Sequence, residues 1–186
     1  MLIDVELTLI VNPFNILKYV ELSTPLNILD TIPLGEEVEM RGPLGNIVYH
    51  GNGSFTIDSE SFSFNRISLV LGGSGITPGY ALLAHIMLTR STDRTPIRVL
   101  DANKSQSDIL LRSEMEAFER DSEGQLQVTH VLNDAGEDWA GERGLVTADM
   151  LRKYLFEPGE GSVVFLCGPP AMIKKAVLPA LTGKFP

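Results

Sequence analysis

Ile67-Ser68-Leu69-Val70-Leu71-Gly72-Gly73-Ser74-Gly75-Ile76-Thr77-Pro78 is the stretch on which the fold turns. Five mostly apolar residues run into a cluster of glycines, and a helical pattern opens at Pro78 and continues to about Thr89. A short apolar run closed by glycine reads as a strand buried on both faces. Proline suits the first turn of the helix, where a missing N–H leaves nothing unpaired.

The same alternation repeats towards the C-terminus. Residues 97–100 read as a strand, and 108–120 as a helix with Ile109, Leu110, Met115 and Phe118 at apolar positions. Residues 127–132 alternate as a strand; 147–155 read as a helix that Thr147 can cap. Residues 162–167 form a strongly apolar strand, and the last helix spans about 170–181. Strands alternating with helices predict an α/β fold, a parallel five-stranded Rossmann-like sheet covered on both faces.

Before residue 66 the texture differs. Residues 5–11 alternate and stop at Asn12-Pro13, and 38–41 read as a second strand followed by Gly42-Pro43-Leu44-Gly45. Residues 51–65 are rich in Gly, Ser and Asn and read as loop or hairpin. Strands that follow one another without helices predict a partial antiparallel β-barrel. The expected division is 1–65 for that barrel and 66–186 for the α/β domain.

Composition narrows the function. The 186 residues carry a formal net charge of −9, which repels phosphate backbones and argues against a nucleic-acid partner. Among the 186 residues Cys167 is the one cysteine, which fits a reducing, cytoplasmic setting. No apolar run approaches the ~20 residues of a membrane helix, and no membrane association is expected. His50, His85 and His130 lack metal-ligand spacing.

The first glycine turn favours an anion, because a helix N-terminus offers free N–H groups and partial positive charge. In a parallel sheet, ligands bind beyond the strand C-termini. The spacing departs from the common dinucleotide fingerprint, since Pro78 stands where a final glycine belongs. It is not a hydrolase nucleophile elbow either: Ser74 has Gly72 two residues before it but Ile76 two after.

Cys167-Gly168-Pro169-Pro170-Ala171-Met172-Ile173 repeats the strand–turn–helix arrangement at the last strand. Taken with Gly72 to Pro78, it resembles the ferredoxin-NADP reductase superfamily, and more narrowly the cytochrome b5 reductase and nitrate reductase branch. Asp101-Ala102-Asn103-Lys104-Ser105-Gln106-Ser107-Asp108-Ile109-Leu110-Leu111-Arg112 and Trp139-Ala140-Gly141-Glu142-Arg143-Gly144-Leu145-Val146-Thr147 are similar to that branch as well. So is Arg41-Gly42-Pro43-Leu44-Gly45, at the end of its flavin barrel. The resemblance runs from about residue 29 to the end.

The resemblance implies that NADPH or NADH lies across the C-terminal edge of the sheet and delivers hydride to FAD. It gives Gly73, Ser74, Gly75, Thr77 and Pro78 to the pyrophosphate and nicotinamide end. Cys167 and Thr77 would stand where nicotinamide meets flavin, as the catalytic pair. Gly168, Pro169 and Met172 complete the pocket, Asn103 faces the adenosine half, and Gly42 and Pro43 belong to the flavin side. Lys104 and Arg143 within reach of a 2′-phosphate tilt the reading to NADPH; Asn133, beside Asp134, holds the place where NADH-preferring relatives often carry Asp. Electrons would pass onward to a haem partner such as a cytochrome b5 domain. The branch's Arg-x-Tyr-Ser/Thr motif is not found, and Leu22-Ser23-Thr24-Pro25-Leu26 replaces its Gly-Gly-x-Met-Ser/Thr motif. The flavin half thus reads as truncated, with self-association through an incomplete barrel as one consequence. The alternative is a nucleotide-binding module that lacks flavin and is not catalytic.

Overall fold

The computed structural model describes residues 8–11, 15–18 and 46–183. Its centre is the expected parallel sheet. Strands β6 (Arg66–Gly72), β7 (Ile97–Asn103), β8 (Leu126–Leu132), β9 (Glu142–Arg143) and β10 (Ser162–Cys167) run parallel in the order β10-β6-β7-β8-β9. The strongly apolar strands β6 and β10 are buried almost end to end, as a sheet covered on both faces requires.

Alternate residues feed two cores. Ile67, Leu69, Leu71, Val99 and Phe165 pack on one face with Leu83 and Ile86 of α1 (Ile76–Leu88) and Met115 of α2 (Arg112–Asp121). Val70, Leu100 and Leu166 pack on the other with Leu151 of α3 (Ala148–Tyr154) and with Ile173 and Val177. Those last two lie in a π-helical turn (Ile173–Val177) joining α4 (Pro170–Met172) to α5 (Leu178–Thr182). Each fully buried Leu, Ile or Phe contributes about 1.5–3 kcal/mol.

The glycine-rich stretch read as loop or hairpin is a three-stranded antiparallel sheet: β3 (Ile47–Gly51), β4 (Ser54–Ile57) and β5 (Glu60–Ser63). Two-residue turns join them, Asn52-Gly53 and Asp58-Ser59, each with φ of +48° to +71°. Positive φ at both central residues matches the right-handed twist of a hairpin. Phe55 and Phe64 then dock on the main sheet, with the Phe55 and Phe165 ring centroids 5.1 Å apart.

A polar latch reinforces this docking. Tyr49 Oη donates to Asp93 Oδ2 at 2.5 Å, and Asp93 Oδ1 accepts from the Thr95 backbone N–H and hydroxyl. Burial, then the hydrogen bond to Asp93, pushes the Tyr49 hydroxyl up to about 12. Burial pushes the Asp93 carboxyl up, but the hydrogen bonds from Tyr49 and Thr95 outweigh it and hold it below the usual range. Tyr49 is the protonated partner, and its folded pKa lies above the unfolded value of ~10. Its contribution is therefore complete below pH ~10 and is lost as pH rises towards about 12. Tyr49→Phe is expected to lower stability by about 1–2 kcal/mol at neutral pH. It should also remove part of the alkaline slope in a series of denaturant melts from pH 8 to 12. Equal slopes in the two proteins would show that the latch carries none of it.

Three expectations are corrected. The 108–120 helix begins at Arg112. Asp108 instead accepts from the backbone N–H and hydroxyl of Ser105, closing a 3₁₀ turn, and Leu111 then takes a left-handed φ of +54°. Glu142–Arg143, in a segment given no strand in the sequence reading, pairs with Val131 and Leu132 as the fifth parallel strand. Of the strand read at 5–11, Thr8–Val11 (β1) pairs antiparallel with β10 and with β2 (Asn15–Lys18), not with β3–β5. That placement covers the edge ladder of β10, which would otherwise be open. The strand read at 38–41 and the candidates Gly42 and Pro43 lie outside the described residues.

Candidate functional site

Adjacent parallel strands bring the two glycine turns together. Cys167 pairs in register with Leu71, so both turns leave the sheet at the same C-terminal rim, side by side. Their contact is tight. A Cβ placed on Gly75 would lie 2.3 Å from the Cys167 carbonyl oxygen and 2.8 Å from the Gly168 nitrogen. Met172 lies across the joint, since a Cβ on Gly72 or on Gly168 would come within 3.0 Å of its Cε.

Glycine is demanded in a second sense at two positions. Gly73 has φ +53° with open space where a Cβ would stand, and Gly168 has φ +156°. The chain therefore bends sharply and leaves a bare backbone facing outward at Gly73. Gly73–Gly75 form a 3₁₀ turn that runs straight into helix α1, with no side-chain cap at Gly72 or Gly75 and no acidic residue in the first turn of either. Uncapped N–H groups and partial positive charge converge there, a fit for phosphate. This local field suits an anion even in a chain with net charge −9.

The other candidates surround that cradle. Ser74 and Thr77 are exposed, and Thr77 Oγ1 donates to the Ser74 carbonyl at 3.0 Å. Pro78 sits in the first turn of α1. Pro169 precedes α4, and Pro170 is its first residue. Cys167 is 4% exposed, and burial pushes its thiol up, so it stays a neutral, unreactive group at the rim.

Asn103 ends β7 at the same rim, two strands from Cys167. Its Nδ2 donates to Asp101 Oδ2 at 2.8 Å, and His130 Nδ1 lies 2.9 Å from that same oxygen. Neither Asp101 nor His130 stood out in the sequence; a carboxylate in a run such as Val99-Leu100-Asp101-Ala102 was the signal available. Gly79 was also missed. A Cβ there would lie 2.5 Å from Leu71 Cδ1, so glycine sets how closely α1 approaches β6.

Arg143 is not turned towards a ligand. Its guanidinium donates to the backbone carbonyls of Ala135, Glu137 and Trp139, tying down its own loop. Among the described residues no cluster of His, Cys, Asp and Glu could hold a metal, and no helix is long and apolar enough to cross a membrane.

Known proteins share this arrangement. Residues 69–177 match the oxidoreductase NAD-binding domain family. NADH nitrate reductase 1 of Oryza sativa subsp. japonica is 35% identical over 156 residues, covering 82% of this chain and 17% of that protein. NADH-cytochrome b5 reductase 2 of Danio rerio is 36% identical over 159 residues, covering 82% of this chain and 51% of that protein. The crystal structure of the cytochrome b5 reductase domain of Ulva prolifera nitrate reductase superposes with a TM-score of 0.78. It is 32% identical and covers 85% of this chain and 58% of that one. The chain thus spans a sixth to a half of the curated relatives it matches. With its paired glycine turns on one parallel rim, this chain belongs to the oxidoreductase NAD-binding domain family, in the nitrate reductase and cytochrome b5 reductase branch of the ferredoxin-NADP reductase superfamily.

Proposed function

We propose that the chain is the pyridine-nucleotide half of a flavin-dependent reductase, and that NADH is the preferred nucleotide. One observation carries this reading: an open backbone position at Gly73, at the start of an uncapped helical turn packed against the Cys167-Gly168 turn. Nicotinamide, when bound, supplies a hydride to flavin. The protein's part is to bind, orient and exclude water rather than to provide a strong acid or base. Gly73, Ser74 and Gly75 would hold the pyrophosphate. Cys167, with its neutral buried thiol, would wall the nicotinamide from water, with Thr77, Gly168, Pro169 and Met172 around it.

Preference for NADH is supported by Arg143, one of the two cations read for a 2′-phosphate, whose guanidinium instead donates to three carbonyls of its own loop. The relatives named above are themselves NADH enzymes. Onward transfer to a haem partner, and a cytoplasmic setting, are part of the same proposal. A division at 65/66 into a flavin side and a nucleotide side belongs to the same proposal, with β1 and β3–β5 packed on the nucleotide sheet.

The test uses the 186-residue chain. Titration followed by nucleotide fluorescence should show NADH binding more tightly than NADPH. Chain incubated with FAD and desalted should turn yellow and bleach with NADH. Colourless protein that still binds NADH would favour a module without flavin, and protein that binds neither nucleotide would end the proposal.

A further inference from the structure

Asp101 is 1% exposed, on a strand whose neighbours Val99 and Leu100 are core residues. Its Oδ2 meets both Asn103 Nδ2 and His130 Nδ1, while its Oδ1 is buried without any partner. A buried carboxylate oxygen left unpartnered is costly, and stability alone would favour an apolar residue there. The cluster also has a definite place. Cys167, Leu71, Asp101 and His130 fall in one register row across four strands, one step beneath the rim. The loop after β8 is tied to the same corner, with the Asn133 and Asp134 N–H groups donating to the Asn103 and Lys104 carbonyls.

An ionised carboxylate only accepts hydrogen bonds. Asn103 must therefore turn its amide nitrogen to Asp101, which leaves the amide oxygen on the opposite side. His130 must present an N–H at Nδ1, so a neutral ring is fixed in the tautomer that leaves Nε2 as an acceptor. Without the carboxylate, the amide of Asn103 and the tautomer of His130 are free to reverse. One buried group thus sets the donor and acceptor pattern of two neighbours, the buried Asn103 and the half-buried His130.

We propose that Asp101 is a positioning residue for the adenosine half of the dinucleotide, holding Asn103 and His130 so that acceptor atoms meet the ribose hydroxyls. This rests on the nucleotide-binding reading above. It adds a reason for NADH: ribose hydroxyls are donors, whereas a 2′-phosphate brings only further acceptors and negative charge.

Asp101→Asn tests it, with ADP as probe for the adenosine half and reduced nicotinamide mononucleotide for the other. ADP should bind roughly three- to tenfold more weakly, one hydrogen bond's worth, with mononucleotide binding unchanged. The exchange Asp101→Asn with Asn103→Asp restores a carboxylate–amide pair with reversed polarity. It should melt close to the unaltered chain without recovering ADP affinity. Recovery of both, or an Asp101→Asn chain that binds ADP normally, overturns the proposal and leaves nucleotide binding standing. If the variants do not fold, ring ¹⁵N resonances of His130 in the unaltered chain decide: saturating ADP should shift them and the mononucleotide should not, and no shift overturns the proposal. Failure of the unaltered chain to bind any of these probes would overturn the underlying reading instead.

Discussion

Gly75→Ala is expected to weaken NADH binding about a hundredfold and to lower stability by about 3 kcal/mol, the upper end of the overpacking range. Gly75 has φ −62°, a conformation that alanine adopts freely, so strain in its own backbone plays no part. The cause is the neighbour. A methyl group would lie 2.3 Å from the Cys167 carbonyl oxygen and 2.5 Å from its carbon, both backbone atoms that cannot rotate away. The two turns must then separate, and the surface that holds the dinucleotide separates with them. In a chain of this size the melting temperature should fall by roughly 6–12 °C.

Gly73→Ala makes the complementary case. A methyl there meets nothing within 4 Å, so only the left-handed φ of +53° resists it. Stability should fall by about 1 kcal/mol, yet binding should suffer heavily, because the proposed function seats the phosphate in that open space. Fluorescence titration and thermal melting on the two variants separate the roles. A Gly75→Ala chain with normal affinity and normal melting would show that the turns are not in contact.

How far the sequence disclosed this site depends on the range of the interaction. The turns at Gly73 and Gly168 are local: glycine after an apolar run is a signal within seven residues, and both turns lie where the pattern put them. Their meeting at one rim followed from parallel topology, which the strand–helix alternation implies. Thr147 caps α3 as expected, its hydroxyl accepting from the Met150 N–H, because capping too is local. The misses are non-local or rest on backbone conformation. Nothing near Asp101 announces His130, 29 residues away, as its partner. Leu111 in a left-handed conformation contradicts its own preference, and the turn closed by Ser105 and Asp108 overrides the helical spacing that follows. Asn52-Gly53 is a strong hairpin signal by type, and of the two readings of that stretch, loop or hairpin, the antiparallel pairing of β3, β4 and β5 bears out the second.

The second large effect lies away from the site, at Phe55. Its ring contacts Tyr49, Phe64 and Phe165, with centroids at 4.6, 5.8 and 5.1 Å, and the residue is 1% exposed. Phe165 belongs to β10, whose last residue, Cys167, opens the second glycine turn. The small antiparallel sheet is therefore joined through Phe55 to the strand that carries the nucleotide rim. Phe55→Ala should cost about 3–5 kcal/mol, a large part of a typical total of 5–15 kcal/mol. Because β3–β5 and the parallel sheet share one core, the loss should appear as a single transition at lower denaturant, followed alike by fluorescence and far-ultraviolet circular dichroism. NADH affinity at low temperature, where the variant is still folded, should change little, since Phe55 touches neither turn. Two separate transitions would mean that β3–β5 melts on its own, apart from the core it shares with the parallel sheet.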